Sequence, residues 1–425
     1  MAVKQLSLFD QQPEDSNKFF TRKRSWSAAK HRIMLRYIQA FCYSLASNNT
    51  YINYVDGFAG VGKYDEGIGI ENFVDNSNFW QRYKTEFLDT DGSPLIALKC
   101  AKIFRLEERV TLRCFFTEEK KELNYKLKNN CELTGQGLPY KIYEPQEFGK
   151  ALPQIINELE QYPTLFFLDA FGVKGVTFDQ ICYIANYVSK YKGELFLLFN
   201  NRTVARHAGH YKTVYEKSSY QKTAETYTQN LTKLLGYKSD LDWKPKWLEY
   251  QDQEQKFERW ALEYFKSRLK KESSFKGVAS FEIKETYNDP RPQYNIVVGS
   301  NYPQKAFGEL LNEFFWQENQ SLFFEDDKSG KNHKFLAQIW ERENNEKIFN
   351  VKPIIIDILH RKNQDWMILK EVITLIILEM GNLGYLNRPK YREILLSLYQ
   401  ENIIEARNLG VKGNLTLDSY IKVVK

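Results

Sequence analysis

The stretch Y-V-D-G-F-A-G-V-G-K-Y-D-E-G, Tyr54 to Gly67, decides how this chain is read. An apolar lead-in ends on an acid, Asp56, and the glycines Gly57, Gly60 and Gly62 follow. Glycine permits a tight turn and removes the side chain that would keep a backbone amide away from a ligand. The stretch is not the G-x-G-x-x-G dinucleotide fingerprint, and it lacks the G-K-S/T of a phosphate loop, which argues against NAD and ATP. Taken alone it fits either a ligand-holding loop or an ordinary strand-to-helix turn.

Its neighbours favour the first. Tyr51 to Val55 has the composition of a strand that feeds the loop directly. Upstream, from Ser27, the spacing of Ile33, Tyr37, Ile38, Phe41 and Leu45 predicts an amphipathic helix. Downstream, D-G-S-P-L-I-A-L-K-C-A predicts another, with Ser93 as its cap and Pro94 at its first position. The apolar runs Thr111 to Thr117, Leu165 to Leu168 and Leu195 to Phe199 leave room for helices between them. Continuous apolar strands alternating with helices predict a parallel sheet covered on both faces. Residues 205–275, dense in Tyr, Lys and Gln, predict a helical insertion, and Val278–Thr286 with Tyr294–Val298 a hairpin.

The ends of the chain read differently. Residues 1–22 are polar and predict a flexible peptide, and 23–320 the main domain. Polar residues 321–350 predict a connecting segment. In 351–425, two helical patterns, the second opened by Pro389, precede strand-like runs at Ile403–Ala406 and Tyr420–Val424. That order predicts a winged-helix domain.

Composition sets limits. With 425 residues, of which 43% are hydrophobic, the chain can bury a full core in two or three structural units. No run approaches the roughly 20 apolar residues of a membrane helix, and the N-terminus lacks the pattern of a signal peptide, so a cytoplasmic protein without membrane contact is expected. The cysteines Cys42, Cys100, Cys114, Cys131 and Cys182 have no C-x-x-C spacing and predict buried thiols rather than a zinc site or disulfides. No carboxylate run suits a metal-dependent nuclease. Lys and Arg number 60 against 54 Asp and Glu, a mildly basic balance compatible with nucleic acid.

In open α/β sheets, ligands bind beyond the carboxyl ends of the strands. Here those ends carry Asp56, Glu118 and Asp169. A carboxylate after the second strand suits a ribose hydroxyl pair, which selects Glu118, with Glu119 as its competitor by one position. Glu147 suits either an adenine amine or the cap of the helix that follows. Asp169, in L-D-A-F-G, could accept a hydrogen bond from an exocyclic base amine while Phe171 stacks on the base; the alternative is a helix-initiating acid beside a core ring. Asn200, Asn201, Arg202 and Arg206 follow the next strand and could touch phosphate, or be solvated loop residues.

At these residues the chain resembles the three-Cys-motif partner proteins, a methyltransferase-like family. The likeness lies in Y-V-D-G-F-A-G-V-G-K-Y, D-G-S-P-L-I-A-L, F-F-T-E-E-K, L-D-A-F-G-V-K-G and Y-N-I-V-V-G-S-N-Y-P, and covers about residues 25–320. The resemblance implies an α/β, Rossmann-like methyltransferase domain that binds S-adenosylmethionine. Asp56, Gly57, Gly60 and Gly62 would form its cofactor loop, Glu118 would hold the ribose, Glu147 would lie near the adenine, and Asp169 would stand in the acceptor site. It also implies a separate cysteine-motif partner protein and a DNA-modification, phage or mobile-element setting. Two positions depart from the family pattern: Val61 and Ala170 stand where the family usually has proline.

Two further features suggest work near DNA. Gln5-Leu6-Ser7-Leu8-Phe9 resembles the peptide by which bacterial repair proteins bind the sliding clamp, with Leu6, Leu8 and Phe9 suited to an apolar pocket. In the expected winged helix, Lys390 and Arg392 are placed to meet phosphate, and residues 388–425 hold seven basic and four acidic side chains. Winged helices also mediate protein contacts. The rival expectation is therefore a non-catalytic partner or scaffold subunit that uses the winged helix and N-terminal peptide.

Overall fold

A computed structural model of the chain describes residues 20–68, 77–170, 172–211, 221–236, 243–325, 333–361 and 365–424. The first helix, α1 (Ser25–Leu45), buries Ile33, Tyr37, Ile38 and Phe41 along one stripe, the spacing with which a helix turns one face inward. Strand β1 (Tyr51–Asp56) is buried from Ile52 to its end. After it come α2 (Asn78–Tyr83), α3 (Ser93–Leu106), β2 (Thr111–Phe116), α4 (Lys121–Gly135), β3 (Tyr140–Ile142) and α5 (Phe148–Glu158). Then follow β4 (Thr164–Leu168), α6 (Phe178–Tyr191) and β5 (Glu194–Phe199). The insertion is helical as expected: α7 (Asn201–Gly209), α8 (Gln221–Leu235), α9 (Lys244–Tyr250) and α10 (Glu254–Glu272). In α10, Phe257, Ala261, Phe265 and Leu269 are buried at a four-residue spacing.

The hairpin is β6 (Gly277–Ile283) and β7 (Tyr294–Ser300). Strands β1 to β7 form a seven-stranded sheet of order β3-β2-β1-β4-β5-β7-β6. The pairs β1/β2, β2/β3 and β4/β5 are parallel, while β7 runs antiparallel to β5 and β6. This is a Rossmann-like α/β fold with an antiparallel hairpin at one end. Burial of β4 and β5 at every position explains the apolar runs Leu165–Leu168 and Leu195–Phe199.

The remainder holds α11 (Asn312–Phe324), α12 (His333–Arg361), β8 (Met367–Ile368), α13 (Leu369–Met380), α14 (Arg388–Gln400), β9 (Ile404–Arg407) and β10 (Tyr420–Val423). The last three strands named form an antiparallel sheet of order β8-β10-β9. None of the described helices is long and apolar enough to cross a membrane.

The chain divides into two compact units, Met1–Glu158 and Leu159–Lys425, and residues 321–350, expected as a connecting segment, lie within the second. The 29-residue helix α12 occupies much of that expected linker and continues past it. Residues 351–425 belong to the second unit because buried polar groups tie them to it. Ser280 of β6 exchanges hydrogen bonds with Gly381 and Leu383. The buried Asn312 side chain donates to the Leu386 carbonyl at 2.7 Å and accepts from the Gly384 amide at 2.9 Å. Lys266, 1% exposed, donates to the Gly381 carbonyl at 2.9 Å.

Two smaller corrections concern the first unit. Ser93 does not cap α3; Gly92 takes that position and Ser93 begins the helix. The segment expected to be flexible through residue 22 is placed from Phe20 onward. The Asp65 and Glu66 amides donate to the carbonyls of Phe20 and Thr21, and the Lys23 amide to that of Glu66.

Candidate functional site

The first unit assembles the glycine loop from three directions. Asp56, fully buried, ends β1, and its Oδ1 accepts the Phe58 amide at 3.1 Å. Thr117, one residue past β2, holds the loop from the neighbouring strand end. Its amide donates to the Asp56 carbonyl, its carbonyl accepts from the Ala59 amide, and its hydroxyl donates to the Gly57 carbonyl at 2.6 Å. From α4, the Asn130 side chain donates to the Val61 carbonyl at 2.8 Å. At the head of α3, the Gly92 amide donates to the Gly62 carbonyl at 2.9 Å.

Both Gly60 and Gly62 adopt left-handed backbone, with φ of 60° and 76°. An L side chain is strained there, so the sequence needs glycine at both positions. Packing adds a second reason at Gly60: a Cβ would stand 2.6 Å from Cζ of Phe20. At Gly92, likewise, a Cβ would meet the Gly62 carbonyl oxygen at 2.8 Å.

Glu118 follows Thr117 and is half-buried. Burial raises its carboxyl above the usual range, while the amides of Lys120 and Gly60, hydrogen-bonded to it, pull the other way. The Lys120 contact is 2.8 Å. Thr117 thus ties Asp56 and Gly57 to the end of β2, and the Gly60 amide ties the loop to Glu118, whereas Gly62 serves the junction with α3. Glu119, the competitor, is exposed.

Glu147 precedes α5, where its carbonyl accepts the amides of Lys150 and Ala151. Its exposed carboxylate pairs with Lys150 at 3.4 Å. A ring contact links this helix start to the loop, since Phe58 and Phe148 lie 5.6 Å apart between centroids. Beside the loop, Lys23 is wholly buried and donates to the carbonyls of Asp89 and Asp91, both at 3.0 Å. Burial lowers its ammonium to about 7.

This donor set fits S-adenosylmethionine in kind. The half-buried carboxylate past β2 suits a ribose diol, and the half-buried Phe58 ring, backed by the buried Phe148, could face a base, while Phe20 already covers the Cβ side of Gly60.

In the second unit, Asp169 follows β4 and is half-buried, with Ala170 buried behind it. Gly172 has φ 76°, and a Cβ there would meet Thr203 Cγ2 at 2.9 Å, so the glycine of L-D-A-F-G answers a local packing need. Phe171 lies outside the described residues, as does the clamp-like peptide Gln5, Leu6, Leu8 and Phe9.

The cations expected to meet phosphate fare differently. Arg202 is half-buried, donating to the carbonyls of Pro292 at 3.2 Å and Arg291 at 3.0 Å and pairing with Asp289 at 3.7 Å. Asn201 accepts from Asn295 inside the core at 2.9 Å, and Asn200 caps α7 by accepting the Thr203 amide. Arg206 remains exposed on α7. Lys390 is engaged by Glu341 at 2.5 Å and Glu393 at 3.3 Å, and Arg392 donates to the Leu415 carbonyl at 2.6 Å. Arg202, Lys390 and Arg392 thus support the fold, because carboxylates and carbonyls distant in sequence reach them first.

Thr117 and Phe20 were missed by sequence reasoning. Thr117 stands in F-F-T-E-E-K just before the expected ribose acid, and that adjacency was the available signal. Phe20 gave none. The cysteines Cys42, Cys100, Cys114 and Cys131 are buried, as expected, and burial pushes Cys131 up to about 12, whereas Cys182 is only half-buried.

No family model matches this chain, and no curated protein does. Among solved structures it is similar to the crystal structure of protein LPL1258 from Legionella pneumophila str. Philadelphia 1, of family model DUF519. The identity is 15% and the TM-score 0.30, over 50% of this chain and 75% of that one. A likeness at that level shares too little backbone geometry to inform function.

Proposed function

We propose that the first unit binds S-adenosylmethionine and that the protein is a methyltransferase acting on nucleic acid. The observation that supports this most is that Thr117 and the Gly60–Glu118 bond hold the glycine loop against Glu118 at the carboxyl ends of two adjacent parallel strands. That is where open α/β sheets hold ligands. Gly57 and Gly60 would bring backbone to the cofactor, Glu118 would accept from the ribose hydroxyls, and Glu147 would stand at the adenine end. When bound, the cofactor supplies an electrophilic methyl group.

Asp169 would orient a base amine by accepting one of its protons. Orientation is enough, because the amine loses that proton during or after attack. The order α13, α14, β9, β10 supports the winged helix, and with it a partner such as DNA or a separate cysteine-motif protein.

A scaffold subunit is the second reading, favoured by Ala170 in the acceptor motif. Label transfer separates the two. Incubated with methyl-labelled cofactor and DNA or RNA, the wild type labels the strand, and Asp169→Ala binds cofactor but transfers nothing. A wild type that binds partners and labels no strand would favour the scaffold, and unchanged transfer by Asp169→Ala would remove the role given to that residue.

A further inference from the structure

The sheet β8-β10-β9 has one buried face and one open face. Met367, Ile404, Ile421 and Val423 are buried. By alternation, Arg407, Tyr420 and Lys422 share the other side, with Tyr420 paired across to Arg407 and Lys422 to Glu405. Trp366, one residue before β8, is drawn into the same cluster. The Arg407 guanidinium lies 4.2 Å from the centre of the Trp366 ring and 5.2 Å from that of Tyr420, and Lys422 Nζ lies 5.0 Å from the Trp366 ring.

Two cations thus converge on one indole. Lys422 has a carboxylate partner, Glu405, at 3.0 Å. Among the described residues Arg407 has none, and it is exposed. The contrast with α14 is direct. Arg388 pairs with Glu313, Lys390 with Glu341 and Glu393, and Arg392 donates to Leu415. The cations of the helix are engaged within the chain, while the sheet keeps one without a carboxylate partner and close to two rings.

We propose that this face, centred on Arg407, Trp366 and Tyr420, is a binding platform for single-stranded nucleic acid. A planar guanidinium backed by an indole offers a surface on which an unstacked base can lie, and Tyr420 offers a second. Lys422 stands beside them for the phosphate. A strand of four residues spans about 13 Å, room for two or three nucleotides. A duplex keeps its bases stacked inside and cannot use such rings, so the platform selects single strands. The inference rests on nucleic acid being the partner under the reading above, but not on the cofactor site.

The test is fluorescence anisotropy with a labelled single-stranded DNA, the same sequence as RNA, and the duplex, on the full chain without cofactor. Wild type prefers the single strands. Arg407→Ala weakens them at least about fivefold, and Trp366→Ala does likewise while Trp366→Phe retains most of the binding. Lys390→Ala changes little. Because Arg407 is exposed, its variant keeps the wild-type circular dichroism, which separates lost contact from lost fold. Wild-type affinity in Arg407→Ala, preference for duplex, equal displacement by polyglutamate, or no binding at low salt would each overturn the proposal. Since no cofactor is present, failure here leaves the methyltransferase reading standing, and failed methyl transfer leaves the platform standing.

Discussion

The Thr117 hydroxyl donates to the Gly57 carbonyl at 2.6 Å, fastening the end of β2 to the loop that leaves β1. Thr117 is 1% exposed, so water cannot replace that donor. Thr117→Val keeps the shape and removes the hydroxyl, leaving the carbonyl short of a partner. The expected loss is about 1–3 kcal/mol, read as a lower denaturation midpoint with unchanged slope. Thr117→Ser restores most of it. A valine variant as stable as wild type would mean that the bond holds nothing.

Gly60 carries two constraints that a mutant cycle separates. Gly60→Ala places a Cβ at φ 60° and against the Phe20 ring. The backbone term alone costs about 1–2 kcal/mol. Phe20→Ala should relieve the clash and leave the backbone term, so the double variant loses less than the sum of the singles. Strict additivity would show that Phe20 does not press on the loop.

Glu194 gives the protein a pH dependence. It is fully enclosed at the start of β5, accepts the Ser300 hydroxyl at 3.0 Å, and burial raises its carboxyl to about 8. Between about pH 4.5 and 8 the unfolded chain ionises this group while the folded one keeps it protonated. Stability therefore falls as pH rises through that window, with a slope of at most about 1.4 kcal/mol per pH unit from this group. Glu194→Gln removes the slope. Parallel pH profiles for the two proteins would contradict the assignment.

The strands were legible where burial is complete. Ile52–Val55, Leu165–Leu168 and Leu195–Phe199 are runs that a covered parallel sheet hides, while Tyr51 at the head of the first is exposed. β3 was not legible, because its three residues are only half-buried and give no apolar run. Helix α12 was missed because its middle, E-R-E-N-N-E-K, is polar on nearly every face. At the candidate site, the order along the chain suffices to put Asp56 at the end of β1 and Glu118 just past β2, where the structure has them. Lys390 and Arg202 read as free cations in the sequence, since Glu341 lies 49 positions from the first and the Pro292 carbonyl 90 from the second. Such partners become visible only in three dimensions.

Calorimetric titration of S-adenosylmethionine into the wild type, Glu118→Gln and Glu118→Ala tests the cofactor loop most directly. If the loop holds the cofactor, the wild type binds one equivalent, and Glu118→Ala, deprived of a charge-assisted hydrogen bond, binds at least about tenfold more weakly. Glu118→Gln falls between them. No binding heat at millimolar cofactor, or equal affinity in all three proteins, would make D-G-F-A-G-V-G a structural turn.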